Sequence, residues 1–177
     1  MEDVTSDLNA VLADHAEVGQ ALSLIMTSQM LGRETISAAL GELSEHLIAR
    51  LVGGRRIERG NRGFDLRGSG GERIEVKSRQ LSRWGEHLMF DFGRHTETAD
   101  TAYCVAWDDT VEPPIVHAAF RLPVTELLER WGTPGQKAYS ARTNLRKLRA
   151  AVTNGARQSS DLRDQGHRFS RLRPPGS

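Results

Sequence analysis

This 177-residue chain has almost none of the residue patterns that build disulfide or zinc frameworks. Cys104 is the single cysteine, which excludes an internal disulfide and a zinc site made of several cysteines. None of the six histidines stands in an HExxH pattern or another paired-ligand spacing, so we expect them on the surface or in packing. A disulfide-stapled scaffold and a zinc enzyme are therefore not expected.

Long apolar runs are also missing. No stretch approaches the about 20 apolar residues that a membrane-spanning helix needs. The acidic start Met1-Glu2-Asp3 has no apolar segment behind it, so we expect no secretory signal, no membrane span and a cytoplasmic location. The composition, 38% hydrophobic and 27% charged, is typical of a globular protein, and the length favours one domain with terminal additions.

Lysine is scarce, and the charge is unevenly distributed. Only three of the 24 basic residues are lysines, of which Lys77 is one. From residue 137 onward the chain has ten Lys or Arg against two Asp, although the net charge of the whole chain is only +1. Such a basic end favours a polyanion partner, because cations that replace counterions on a phosphate backbone gain affinity. The alternative is a solvated, loosely structured tail.

Hydrophobic periodicity predicts helices at both ends of the chain and strands between them. Apolar residues three and four apart predict two or three helices within 5–52. A further helix is predicted from Pro123 through Trp131, and a last one over Ser140–Val152. Alternating or short apolar runs predict strands over 55–58, 64–67, 72–80, 88–92, 102–107 and 115–120. This order predicts an α/β fold of the α+β kind, with a central mixed sheet flanked by helices.

Residues 63–80, GFDLRGSGGERIEVKSRQ, concentrate charge around a glycine-rich turn. If the turn closes a hairpin, Asp65 pairs across from Glu75, and strand alternation puts Lys77 on the same face as Glu75. Two adjacent carboxylates repel unless a cation neutralises them, and Mg²⁺ prefers such oxygen ligands. The stretch therefore predicts a metal site, with a solvated hairpin face as the alternative.

Three motifs resemble the PD-(D/E)XK nuclease superfamily, the restriction-endonuclease-like fold, in the style of its Mrr-like branch. They are Gly41-Glu42 on a helix, Gly63-Phe64-Asp65-Leu66, and Ile74-Glu75-Val76-Lys77-Ser78. Phe64 stands where the family motif has its leading proline. The resemblance covers roughly 37–122 and implies an N-terminal helical extension over 1–36, a nuclease core over 37–136, and a basic C-terminal helix and tail over 137–177.

The resemblance implies a role for each motif residue. Asp65 and Glu75 would bind Mg²⁺, for which Mn²⁺ can substitute, and the Val76 carbonyl would supply another oxygen. Lys77 would position the attacking water or stabilise charge on the phosphate. Glu42 would reach the metal from the helix, and Glu45, three residues on, is the alternative at this position. Metal-activated water and electrostatic stabilisation would then hydrolyse a phosphodiester.

The expected function is a Mg²⁺-dependent DNA endonuclease of the restriction or phage-defence type. A catalytically silent DNA-binding subunit of a defence complex is the alternative from another class, and a junction resolvase or repair nuclease differs only in substrate shape. A homodimer is expected because cutting both strands needs two active sites or two visits. The side chains predicted to contact DNA are Arg79, Gln80, Arg142, Arg146, Lys147 and Arg149. A second candidate set surrounds the strands: Arg55, Arg56, Arg62, Arg79 and Arg83.

Overall fold

A computed structural model describes residues 1–57, 63–93, 95–134 and 139–155. The helices in these ranges are α1 Thr5–Ala13, α2 Ala16–Thr27, α3 Arg33–Leu51, α4 Val124–Trp131 and α5 145–155. The strands are β1 Glu2–Asp3, β2 Arg55–Arg56, β3 Leu66–Arg67, β4 Arg73–Gln80, β5 Met89–Phe92, β6 Thr101–Asp108, β7 Ile115–Pro123, β8 Gly132–Pro134 and β9 Tyr139–Asn144. Short 3₁₀ segments cover Ser82–His87 and Thr96–Thr98.

Six of these strands form one mixed sheet in the order β1-β7-β6-β4-β3-β2. Only the β4–β6 pair is parallel among them, and it lies at the centre of the sheet. β6 is buried on both faces, as its unbroken run TAYCVAW suggests. A smaller antiparallel sheet, in the order β5-β9-β8, packs on one side. The coarse prediction of a mixed sheet flanked by helices is confirmed.

The large sheet separates two hydrophobic clusters. On one side α1 and α3 cover it, with Leu8, Ile48 and Trp107 fully buried there. On the other side the small sheet, α4 and α5 cover it, with Phe90 and Leu145 fully buried. Successive residues of β4 and β6 therefore serve different clusters, because strand side chains alternate between faces.

The N-terminal segment, predicted as a helical extension, joins this architecture directly. β1 pairs with β7 at the edge of the large sheet. Leu8 and Leu12 of α1 lie in the same cluster as α3 and the sheet. Within residues 5–52 the structure has three helices, where the sequence predicts two or three. No helix in the described ranges is long and apolar enough to cross a bilayer.

The prediction of a helix beginning at Ser140 is wrong. Residues 139–144 form β9, which pairs with β5 and β8, and the helix begins only at residue 145. Ala141 and Thr143 are buried while Arg142 is exposed, which is the alternation of a strand. Asn144 then caps α5, because its side-chain oxygen accepts the Lys147 N–H at 2.9 Å. The predicted basic tail after residue 155 lies outside the described residues.

Candidate active site

The hairpin of β3 and β4 brings Asp65 near Glu75. Leu66 pairs with Ile74 and Arg67 with Arg73. At Asp65 the pairing shifts by one residue, because its N–H donates to the Ile74 carbonyl at 2.8 Å, so Asp65 and Leu66 both lie against Ile74. The negative charge of Asp65 still acts on Glu75, so the two carboxylates are neighbours but are not a directly opposed pair.

A glycine fixes the approach to Asp65. Gly63 has φ +128°, and a Cβ built on it would lie 2.0 Å from the Thr98 hydroxyl oxygen and 3.2 Å from the His95 carbonyl oxygen. No larger residue fits there without moving the Thr96–Thr98 segment. The chain entering β3 is thus held against this segment, which sets the position of Asp65.

Glu75 is a buried carboxylate with a lysine partner. Its side chain is 10% exposed, and its Oε1 lies 2.5 Å from Lys77 Nζ. Burial raises the pKa of Glu75, the Lys77 ammonium counteracts part of that rise, and the negative charge of Asp65 adds to it. Lys77 is a quarter exposed and lies 6.0 Å from the centre of the Phe92 ring. Lys77 therefore contacts the buried Glu75 carboxylate while part of its own side chain remains exposed to solvent.

Asp65 is held by the backbone of β4. Its Oδ2 accepts the Val76 N–H at 2.7 Å, so the carboxylate stands beside the strand between Glu75 and Lys77. The Val76 side chain is buried in the α3-side cluster, so only its backbone can take part in chemistry at this site. Asp65, Glu75, Val76 and Lys77 thus lie within one short stretch of two neighbouring strands.

The helix carboxylates share one arginine from β2. Arg56 donates from Nε to Glu45 at 2.7 Å and from Nη1 to Glu42 at 2.8 Å, and Nη1 also lies 2.8 Å from His46 Nε2. Arg56, which sequence reasoning counted among possible DNA contacts, is therefore engaged inside the protein. The pairing of Arg56 with α3 is visible only in the tertiary structure. The sequence contains one signal for it, because two acids three residues apart on a helix are stabilised by a nearby cation.

Of the two helix carboxylates, Glu45 is the more buried. Its side chain is 24% exposed, against 47% for Glu42. Burial raises the pKa of Glu45, the hydrogen bond from Arg56 opposes this, and the charge of Asp65 raises it further. Its burial and its interaction with Asp65 make Glu45 a candidate for the helix member of the site beside Glu42.

The donor chemistry fits a hard divalent cation. Asp65, Glu75 and Glu45 offer carboxylate oxygens, the ligands that Mg²⁺ prefers. Within the ranges that the structure covers, no three His, Cys, Asp or Glu side chains gather closely enough to hold a metal ion between them. Glu75 is bound to Lys77 and Asp65 to the Val76 N–H. Metal ligation would thus require Asp65 and Glu75 to give up these contacts and the three carboxylates to move closer together.

The predicted DNA contacts lie in two different settings. Arg79 and Gln80 end β4, where Arg79 bonds the Ser78 carbonyl and Gln80 bonds Asp109. Arg142 is paired with Asp91, and Arg149 with Glu86. Arg146 and Lys147 are exposed in the first turn of α5, and in the described part of the chain neither has an ion pair.

Of the second candidate set, Arg62 lies outside the described residues and the Arg83 side chain is not described. The remaining exposed cation of that set near the hairpin is Arg55.

No family model matches the chain, and a search of curated proteins finds no significant relative.

Proposed function

We propose that this protein is a Mg²⁺-dependent endonuclease that hydrolyses phosphodiester bonds in DNA, of the restriction or phage-defence type. The observation that supports it most is Glu75: a nine-tenths buried carboxylate, near the charge of Asp65 and bound to Lys77. Burying a carboxylate costs free energy that a surface position avoids. A hairpin that needed only solubility would leave these groups in water.

In this proposal Asp65, Glu75 and Glu45 hold the metal, with the Val76 carbonyl as a further oxygen. A divalent cation held there would lower the pKa of a coordinated water and neutralise charge on the phosphate. Lys77 releases Glu75 and turns its ammonium toward the reacting phosphate, where it orients water and stabilises negative charge. Arg56 keeps the Glu45 carboxylate oriented toward Asp65 by its 2.7 Å hydrogen bond.

The deciding experiment is cleavage of supercoiled plasmid and phage DNA with Mg²⁺, Mn²⁺ and Ca²⁺ in turn. Wild-type protein is compared with Lys77→Ala and with Arg130→Ala, which removes an exposed cation paired with Glu126 on α4. We expect Mg²⁺- and Mn²⁺-dependent nicking by wild type and Arg130→Ala, and none by Lys77→Ala. Absence of cleavage by wild type in every metal contradicts the proposal, as does equal cleavage by all three proteins.

One observation favours a second function, that of a nuclease-fold protein which binds DNA without cutting it. The contacts of Glu75 with Lys77 and of Asp65 with Val76 engage the oxygens that a metal would need. A silent subunit would retain DNA affinity while showing neither cleavage nor Mn²⁺ binding by calorimetry. Mn²⁺ binding that is lost in Asp65→Asn separates the two functions in favour of the enzyme.

A homodimer is part of the proposal, because a double-strand cut needs two sites. Two large apolar side chains stand exposed on and after α2, Leu24 at 74% and Met30 at 94%. Exposed apolar groups of this kind often mark contact surfaces. Sedimentation of wild type and Met30→Asp tests this: a dimer that the substitution dissociates supports it, and a monomer at all concentrations contradicts it.

A further inference from the structure

A row of arginines crosses the hairpin beside the candidate site. Arg55 of β2 pairs with Arg67 of β3, and Arg67 pairs with Arg73 of β4. Directly opposed residues of antiparallel strands share one face, and like charges in these positions are destabilising. Negative charge beside three consecutive arginines in register would therefore relieve their repulsion.

Only one of the three has a carboxylate partner within the described residues. Arg73 binds Asp100 through Nη2 at 2.7 Å and Nε at 3.1 Å, and its backbone N–H donates to the same carboxylate. Arg67 bonds the Gly71 carbonyl at 3.1 Å and lies 5.4 Å from the Phe64 ring. Arg55 is exposed, and its side chain makes no hydrogen bond or ion pair with any described residue. Arg67 is near enough to Asp100 for its charge to help lower the pKa of that carboxyl, but within the described residues neither Arg67 nor Arg55 forms an ion pair with a carboxylate.

These two arginines line a cleft of about 340 Å³ with the glycine turns at residues 53–54 and 68–71. Gly54 allows the turns to meet, since a Cβ there would lie 2.5 Å from the Arg67 carbonyl oxygen. The cleft therefore combines guanidinium groups with backbone that is not covered by side chains. Guanidinium is the side chain best suited to phosphate, because its planar set of N–H donors binds two oxygens at once.

The row also stands next to Glu75. Glu75 and Arg73 are two residues apart on β4, so they share a face of the sheet. Two residues of a strand span about 6.6–6.8 Å. Arg79 lies on this face of β4 on the other side of Lys77. Cations thus flank Glu75 in both directions along β4.

We propose that Arg55 and Arg67 form a phosphate-binding cleft that holds the DNA backbone beside the phosphodiester to be cut. The partner is the sugar-phosphate strand itself, so the contact is independent of base sequence. The choice of DNA as partner rests on the proposed function, while the cleft and its unpaired charges do not. An acidic protein surface is the competing occupant.

The test is equilibrium binding of a fluorescein-labelled duplex of roughly 30 base pairs at salt concentrations from about 50 to 300 mM. EDTA is present throughout, so that binding is measured without cleavage. The variants are Arg55→Gln, Arg55→Gln/Arg67→Gln and Arg33→Gln. Arg33 is an exposed arginine at the first residue of α3, about 27 Å along that helix from its end near Gly53. Thermal unfolding by circular dichroism verifies that each variant folds.

We expect the double variant to lower the magnitude of the log–log salt slope by about 1.8 and the single variant by about 0.9. If wild type and the double variant bind equally at 1 M salt, this slope change makes the double variant bind about 60-fold more weakly at 0.1 M salt. Arg33→Gln should match wild type. If the Arg67 change disturbs the turn, Arg55→Gln still decides the question, because the Arg55 side chain makes no hydrogen bond or ion pair with any described residue.

Three results would overturn the inference: a wild type that does not bind the duplex, an unchanged slope in both variants, or an equal loss in Arg33→Gln. If the true occupant of the cleft is an acidic protein, the salt slope for DNA should be unchanged in both variants. Failure of the proposed function looks different: wild type would not cut DNA with any metal, yet the Arg55 and Arg67 variants would still bind the duplex more weakly.

Discussion

The two faces of β4 use polar groups in opposite ways. On the α3 side, Ile74 and Val76 are buried in the larger cluster, and Ser78 donates into a small hydroxyl network. On the other side Glu75 and Lys77 form a buried ion pair next to Asp65. Both faces come from one eight-residue strand whose side chains alternate.

The α3 face satisfies its polar groups completely within the protein. The Ser44 hydroxyl donates to the Leu40 carbonyl at 2.8 Å, lies 3.0 Å from the Ser78 hydroxyl, and accepts the Trp107 indole N–H at 2.9 Å. Each member has a neutral partner, so nothing further needs to bind. Such a network specifies how the helix sits on the sheet.

The opposite face keeps charges where neutral side chains would pack at lower cost. Replacing a buried ion pair by apolar residues is often neutral or stabilising. The presence of Glu75 and Lys77 on this face is therefore an argument for the proposed chemistry rather than for a role in folding. The comparison predicts that substitutions on the two faces separate activity from stability, with the largest effects on activity.

Removing the lysine should give the largest effect. In Lys77→Met we expect Mg²⁺-dependent cleavage to fall by about 10²–10⁴-fold, because a positioned proton-transfer or charge-stabilising group contributes about that much. Single-turnover cleavage of labelled duplex measures it, with Arg130→Met as the control. A variant that cuts within a few-fold of wild type would place Lys77 with the structural residues.

The helix carboxylates should differ in metal binding. Glu45→Gln is expected to weaken Mn²⁺ affinity by about 10–100-fold, as loss of a ligand or of its supporting group does. Glu42→Gln, the matched change one turn earlier, should alter it only a few-fold, because the Glu42 side chain is twice as exposed. Calorimetric titration with Mn²⁺ measures both, and the reverse order would assign the site to Glu42.

On the α3 face, Ser44→Ala should affect stability and leave metal binding intact. The substitution leaves the buried Trp107 N–H without its acceptor, which costs about 1–3 kcal/mol of unfolding free energy. Urea denaturation measures the loss, with Ser6→Ala, at an exposed position in the first turn of α1, as the control. An unchanged midpoint would mean that the network contributes nothing, and lost Mn²⁺ binding would mean that the two faces are not independent.

The smallest effect concerns the Arg73–Asp100 pair at the edge of the arginine row. The side-chain hydrogen bond from Arg73 lowers the pKa of Asp100 to about 2. Because this pKa is depressed relative to the unfolded chain, its stabilisation is present above the ordinary value of 3.8 and is lost as the pH falls through about 2. Asp100→Asn should therefore be slightly less stable than wild type near neutral pH, and the two should converge on acidification. Urea denaturation across this range measures it, and a stability difference that does not depend on pH would contradict an origin in the carboxylate charge.

Much of the fold was predictable from local patterns. The change from three- and four-residue spacing to alternation after Gly53-Gly54 located the end of α3 and the start of the strands. β9 was not predictable, because SARTN carries no apolar alternation strong enough to compete with the helical pattern that follows it. Ala141 and Thr143 become strand residues only because β5 and β8 offer them partners.

The amino-acid sequence by itself determined the charges of the hairpin and their alternation, since a glycine turn between Asp65 and Glu75 leaves few other pairings. Tertiary structure alone decided which cation holds the helix carboxylates. Arg56 and Glu45 are eleven residues apart and meet at 2.7 Å only because α3 crosses the edge of the sheet there. The same is true of the arginine row, because its like charges come into register through strand pairing, and pairing between strands is set by the packed sheet rather than by any one segment.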